Sequence, residues 1–425
     1  MRISLTKDIF GKVEVPEGRL AGAYGPRRPE RPGLEDGDLR DRIHNPIGTP
    51  PLREMARGAR RVLIVTDDIT RQTPLYRVLP LILEELAEAG VPESGVRFLI
   101  GLGTHRGMTE EEIAVKFGEA IPKRFPVVNH AWDDPSALVS MGRSGLGFEV
   151  MINRLALETD LLIGVGSIIP HATAGFSGGG KSIMPGICGE ATIEATHWAA
   201  LGYEMSEILG NFDNKVREAA VQVCRKAGLR FIVNTVMCEG GRVYGLVAGD
   251  VEEAHRAGVR LSLEVYGVPV AGTADVVIAE AYPTDIDLRQ AIKAVCSADI
   301  VCRDGGVVIL PAECREGVSP QFPDFSRYGF REPEALYRAV EAGEFRQKLL
   351  AYTLVAIGRI ISRRVKGMLV SPHIGEAEAA RMGFLWAPTL QAAVDRALEM
   401  CGPRSRAMVL REAGEILPLV PASVP

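Results

Sequence analysis

Val62-Leu-Ile-Val-Thr66 followed by Asp67-Asp-Ile-Thr-Arg-Gln-Thr-Pro74 is a short apolar run that stops in a polar turn. The run is rich in β-branched residues and too short for a helix, so it reads as a buried strand. An amphipathic helical pattern then continues to about residue 89. Val96-Arg-Phe-Leu-Ile-Gly101 repeats the strand signature and ends in Leu-Gly-Thr-His105-Arg106. Thr109 and Glu112 next form a capping box that opens another helix. Strands alternating with helices predict a parallel sheet. Ligands of such sheets bind beyond the carboxyl ends of the strands.

Working outward, a third strand over 160–169 leads into the densest stretch of the chain. This is His171-Ala-Thr-Ala-Gly-Phe-Ser-Gly-Gly-Gly-Lys181-Ser-Ile-Met-Pro-Gly186, then a turn and a helix carrying His197. General-base, anion-binding, nucleophilic and metal-ligand chemistry appear within these 27 residues. Three strand ends deliver Asp68, Thr70 and Arg71, then Thr104, His105 and Arg106, then His171. Alone, each passes as a solvated or core side chain. Their joint placement is what points to a site.

Upstream, residues 1–10 read as a short strand and 34–43 as a helical patch before the rigid loop Asn45-Pro-Ile-Gly-Thr-Pro-Pro-Leu52. Downstream, the pattern breaks at Tyr266-Gly-Val-Pro-Val-Ala-Gly272, as in a linker. A second set follows, with strands over 275–279, 307–311 and 367–371 and helices over 287–295, 332–361 and 389–401. The expected fold is α/β: two α/β domains, 1–266 and 273–425, with mainly parallel sheets and an active-site cleft between them. Residues 1–10 are expected to pack on the second domain. That domain also places polar groups after a strand, namely Tyr282, Asp285 and Asp287. Gln290 and Lys293 follow, three apart and so on one helix face.

Composition excludes several classes. A chain of 425 residues exceeds what one core usually supports. Hydrophobic content of 46% and charge of 24% describe a soluble globular protein. A net charge of −5 argues against a nucleic-acid partner. Seven scattered cysteines without a Cys-x-x-Cys pair suggest reduced thiols in a cytoplasmic setting. No apolar run is long enough for a signal region or a membrane span, so no membrane partner is expected.

Gly175-Phe-Ser-Gly-Gly-Gly-Lys181-Ser182 satisfies the P-loop pattern, which would make the chain a nucleotide-binding protein or NTPase. A P-loop opens a long helix. Here Pro185, Gly186 and Gly189 follow too soon, and a proline inside a helix costs roughly 3 kcal/mol. No later strand ends in an obvious Mg²⁺-binding aspartate. A non-catalytic small-molecule-binding protein is the other alternative.

Asp68-Ile-Thr-Arg71, Gly103-Thr-His105-Arg106, the block from His171 to Pro185, His197, and Tyr282-Pro…Gln290-Ala-Ile-Lys293 resemble a known family. With Asn45-Pro-Ile-Gly48 and Asn129-His130, they are similar to the nickel-dependent lactate racemases and their relatives. That family interconverts the enantiomers or epimers of 2-hydroxy acids, so the resemblance implies an isomerase. It covers most of the chain and is less specific for the substrate.

The resemblance implies a nickel pincer nucleotide (pyridinium-3,5-bisthiocarboxylic acid mononucleotide nickel) covalently attached to Lys181 through a thioamide. Nickel would be held by carbon and two sulfurs of the cofactor plus His197, and imidazole suits nickel. Thr70, Ser177, Gly178, Gly179 and Gly180 match the cofactor-binding positions, the glycine amides suiting its phosphate. A hydride leaves the α-carbon and returns on the opposite face. His105 and His171 match the mirror-related catalytic bases that take the hydroxyl proton. Arg71 would hold the substrate carboxylate, with Gln290 and Lys293 closing from the second domain and Asp68 orienting Arg71 or a histidine. Domain closure would keep water from the 2-keto acid. Partners would be a small-molecule 2-hydroxy acid and the proteins that build and load the cofactor. Oligomeric state is not read from the sequence.

Three positions depart from the family pattern. Gln72 replaces a proline, Arg289 stands where lactate-specific enzymes carry tyrosine, and Tyr352 takes the place of a tryptophan. The guanidinium of Arg289 suggests a substrate longer or more acidic than lactate.

Overall fold

The computed structural model describes residues 1–320 and 322–421. They form two compact units. One comprises Arg28–Ala200 and Glu207–Val265; the other comprises Met1–Arg27, Leu201–Ser206 and the chain from Tyr266 on. The units differ from the expected 1–266 and 273–425 division. The first 27 residues, not ten, fold with the C-terminal unit, and so does a short internal segment. The physical reason lies in a sheet edge. Leu20–Tyr24 pairs in parallel with Ala407–Leu410, satisfying backbone groups that an open edge would expose. Nor is 266–272 a free linker, since Gly267–Pro269 pairs with Leu417–Leu419.

The unit from Arg28 to Val265 is built on a six-stranded sheet. Its order is Arg242–Gly249, Leu229–Cys238, Leu161–Ser167, Val62–Thr66, Val96–Ile100, Val127–Asn129. All neighbours are parallel except the first pair. Every residue of Val62–Thr66 and Leu161–Ser167 is buried, as expected of strands covered on both faces. The Leu75–Glu88 helix buries Leu75, Val78, Leu79, Ile82 and Leu86, one stripe at helical spacing. The sequence reading missed Val127–Asn129, the antiparallel pair Leu138–Arg143 and Glu149–Asn153, and the two strands after residue 228.

Strand order reverses between Val62–Thr66 and Leu161–Ser167, because later strands add outward on opposite sides of them. Such a switch point opens a crevice at the carboxyl ends of the two strands. The chain leaves these strands at Asp67 and Ile168.

The other unit carries a six-stranded sheet ordered Leu385–Trp386, Lys366–Val370, Cys302–Pro311, Ala274–Ala279, Ala407–Leu410, Leu20–Tyr24, parallel throughout. Alternate residues enter different cores. Val277, Val308 and Met408 join one cluster, while Val276, Ile309 and Val409 join the other. Both faces are thus covered, giving three layers.

Candidate active site

The turn after Val62–Thr66 is organised by Asp68, which is buried. Its Oδ1 accepts from the Thr70 amide (3.0 Å) and hydroxyl (2.5 Å), and its Oδ2 lies 2.6 Å from His105 Nδ1. Burial alone would raise the Asp68 pKa, but the hydrogen bonds from His105 and Thr70 outweigh it and hold the carboxyl below its ordinary range. A carboxylate at Nδ1 fixes the tautomer with the proton there, leaving the Nε2 lone pair for a ligand. His105 is accordingly half-exposed. Among the described residues the Arg71 guanidinium bonds only its neighbour Thr70, through Nη1 to the hydroxyl at 3.3 Å and the carbonyl at 3.5 Å. Among the described residues it forms no ion pair, so its planar fork can take a carboxylate from outside.

His171 lies on Pro170–His171, which pairs with Gly175–Phe176 in a tight hairpin. Its Nδ1 accepts the Thr173 amide at 3.2 Å. A neutral ring accepting there would carry its proton on Nε2, the opposite tautomer to a ring that donates from Nδ1 to a carboxylate. The mirror-related pair of bases expected from the resemblance is thus chemically unequal, because one ring faces a carboxylate and the other an amide.

Lys181 belongs to a single 3-10 turn, Gly179–Ser182. No helix continues directly from that turn, so the P-loop reading loses its anion-binding helix terminus. Burial, aided by the Arg71 guanidinium and opposed by Asp68, lowers the Lys181 pKa to about 7. His197 sits on the Glu190–Ala200 helix with Nδ1 2.8 Å from the Ile193 carbonyl. That bond directs Nε2 away from the helix backbone. Burial lowers the His197 pKa to about 4, and the Lys181 and His105 charges push the same way. Arg71, Asp68, His105, Lys181 and His197 thus share one electrostatic neighbourhood.

In the other unit, Asp285 and Asp287 are structural. Asp285 pairs with Lys7 at 3.1 Å and accepts the Glu313 amide at 3.0 Å. Asp287 caps the Leu288–Ala291 helix through the Gln290 amide at 2.7 Å. Gln290 and Lys293 do not share one continuous helix. The ladder tightens at Ile292, where Val295 donates to its carbonyl, and a new helix starts at Lys293. Arg289 lies over the Phe322 ring at 4.7 Å with its buried Nε unpartnered. Tyr352 is half-buried on the Lys348–Arg359 helix.

The lactate racemase N-terminal domain family matches residues 8–208, and the lactate racemase C-terminal domain family matches residues 270–416. The chain belongs to the lactate racemase family. A lactate racemase from Lactiplantibacillus plantarum is 37% identical over 65% of this chain and 65% of its own length. One from Thermoanaerobacterium thermosaccharolyticum is 34% identical over 72% of each chain. The chain therefore spans about two thirds of the length of these curated relatives in alignment. The solved lactate racemase apoprotein from Thermoanaerobacterium thermosaccharolyticum superposes with a TM-score of 0.84 at 29% identity, covering 96% of this chain and 97% of that one. A Thermotoga maritima protein shares the fold, with a TM-score of 0.68 at 21% identity.

Within this lactate racemase family member, the glycine turn is braced from beneath by residues that sequence reading did not select. Asn234 Oδ1 accepts the Gly179 amide at 2.8 Å, and His255 Nε2 lies 2.9 Å from the Ser177 carbonyl. The Cys224 thiol donates to the Gly180 carbonyl at 2.8 Å. Gly179 has φ +52°, and a Cβ there would meet the His255 ring at 2.5 Å.

Two expected phosphate donors are engaged internally. Ser177 donates its hydroxyl to the Ser167 carbonyl and its amide to the Ile169 carbonyl, and the Gly179 amide goes to Asn234. Folding, which leaves few buried donors unpaired, claimed them first. The signal for Asn234 was present, since it is a polar residue inside the apolar run Phe231-Ile-Val-Asn-Thr-Val-Met237.

Proposed function

We propose that this chain is a racemase or epimerase of a 2-hydroxy acid, working with a nickel pincer nucleotide attached to Lys181. What supports this reading is a His105 ring held 2.6 Å from the buried Asp68 carboxylate and a His197 ring tied through Nδ1 to the Ile193 carbonyl, beside a lysine whose pKa burial lowers to about 7. An amine must be neutral to be acylated, which Lys181 satisfies near pH 7. Among the described residues, no three His, Cys, Asp or Glu side chains gather to hold a metal ion. A metal at His197 therefore needs donors from a bound group, and the carbon and sulfurs of a pincer suit that need. When bound, the group supplies a hydride acceptor for the substrate α-carbon.

The remaining work falls to the chain. Arg71 binds the substrate carboxylate. His105 takes the hydroxyl proton at Nε2, and buried Asp68 stabilises the imidazolium that results. For His171 to take a proton, its ring must first give up the Thr173 amide. Gln290, Lys293, Tyr352 and Arg289 are assigned to substrate recognition, Arg289 favouring a second acidic group.

The test is intact mass and metal analysis of protein produced alongside cofactor-building enzymes. The expected result is a mass gain mapping to the Lys181 peptide with about one nickel per chain. Chiral chromatography then follows lactate and dicarboxylic 2-hydroxy acids. Unmodified Lys181 without nickel, while a relative loads in the same cells, would defeat the reading. Equal lactate turnover by wild type and Arg289→Tyr, with no preference for acidic substrates, would remove the role of Arg289.

A further inference from the structure

Lysine is almost never fully buried unless paired, yet Lys116 on the Glu110–Phe117 helix is only 6% exposed. Its ammonium donates to the Arg71 carbonyl and lies 3.1 Å from Asp67 Oδ1. Asp67 in turn accepts the Thr73 hydroxyl through Oδ2. The 67–73 turn is therefore held from inside by one buried cation. One helical turn earlier, on the same face, Glu112 binds Arg106 through both oxygens, at 2.8 and 2.6 Å. Glu112 also accepts the Thr109 amide at 2.9 Å. Arg106 directly follows His105.

We infer that the Glu110–Phe117 helix is a strut that sets the Arg71 turn and the His105 turn in register, with Lys116 as its positioning residue. A lysine buried for stability alone needs only a carboxylate. This one gives its hydrogen bond to the main chain of the residue whose side chain is the proposed carboxylate fork. Held at one end by Lys116 and at the other by Glu112, the helix fixes the spacing between a carboxylate-binding guanidinium and the imidazole that takes the hydroxyl proton. Misplacement of either by about 1 Å can lower turnover by roughly a hundredfold. The inference rests on the role given to Arg71 under the proposed function.

Two measurements on Lys116→Met and Lys116→Arg separate the outcomes. The first is amide hydrogen exchange of the unloaded protein, read by mass spectrometry. In Lys116→Met, segments 67–73 and 104–107 should both exchange faster while 229–238 is unchanged, and Lys116→Arg should restore protection. The second is kinetics on loaded protein whose Lys181 mass gain equals that of wild type. kcat/KM for the 2-hydroxy acid should fall about a hundredfold, through a rise in KM from the Arg71 turn and a fall in kcat from the His105 turn.

Glu112→Gln should give a weaker effect confined to 104–107, because Arg106 is solvent-exposed. Faster exchange spread evenly through the unit, or none at 104–107, would make Lys116 a stability residue and overturn the inference. The expected exchange with an unchanged KM would overturn its link to substrate. A wild type that loads but racemises nothing defeats the functional reading instead, while exchange still decides the strut. If Lys116→Met does not fold, Asp67→Asn keeps the side-chain shape and carries the same comparisons.

Discussion

A lysine amine that loses its proton near pH 7 behaves as a nucleophile rather than a counter-ion. Lys181 should therefore react with an amine-acylating reagent faster than any other lysine at neutral pH, with a midpoint at about 7, followed by peptide mass mapping. The sign for stability follows from the same shift. Between about 7 and the ordinary 10.5 the unfolded chain binds more protons, so stability of the unloaded protein should rise with pH across that window. Lys181→Met should flatten the rise, as denaturant titrations at several pH values would show. Asp68→Asn should keep the Oδ1 contacts with Thr70 but present an amide to His105 Nδ1, favouring the wrong tautomer. Turnover should fall by about two to four orders of magnitude. Because enantiomers have equal free energies, kcat/KM must fall equally for both, which chiral assays in the two directions would test. At this scale the candidate residues His105, His171, Lys181 and His197 stand out in the sequence by type and spacing. Lys116 does not, because nothing in sequence distinguishes a buried lysine from a solvated one.

The glycine turn is an element whose shape is imposed by what lies under it. Gly179→Ala would place a Cβ at positive φ against the His255 ring, a loss of about 1–3 kcal/mol measurable by urea unfolding. Removing the ring in the double variant with His255→Ala should relieve the collision but not the backbone strain, so recovery should be partial. His255 also sets a pH dependence. Burial lowers its pKa to about 4 from an ordinary 6.5, so between these values the unfolded state binds more protons. Stability should be lost as pH falls from 6.5 through 4, roughly 3 kcal/mol for this residue. His255→Asn should shrink that loss. The turn itself was legible in the three consecutive glycines. Its internal bonding was not, since the partners Asn234 and His255 lie more than fifty residues away in the chain.

Across the whole molecule, the N-terminal segment is an integral part of the C-terminal unit. Arg19 donates to the carbonyls of Leu398, Gly402 and Ser405, and Lys7 joins Asp285 and Glu313 beside the Tyr282 ring. Deleting residues 1–24 would open the sheet edge at Ala407–Leu410 and leave Asp285 buried without its cation. An unpaired buried charge of this kind is destabilising by about 3–5 kcal/mol. Such a truncation should exchange amide hydrogens faster at 274–279 and 407–410 than at 62–66 or 161–167.

By itself the sequence determined the α/β class, the order of most strands and helices, the family resemblance and the chemical cast of the site. Those properties depend on local periodicity, turn chemistry and side-chain type, which adjacent residues already carry. Tertiary structure alone decided which unit the first 27 residues join, that Ser177 and Gly179 bond inward, and that the His105 ring meets a carboxylate while the His171 ring meets an amide. It also decided that one helix grips both the Arg71 and His105 turns. Each of these depends on which donor meets which acceptor after the sheet has closed, and partners so distant along the chain leave no period or motif behind.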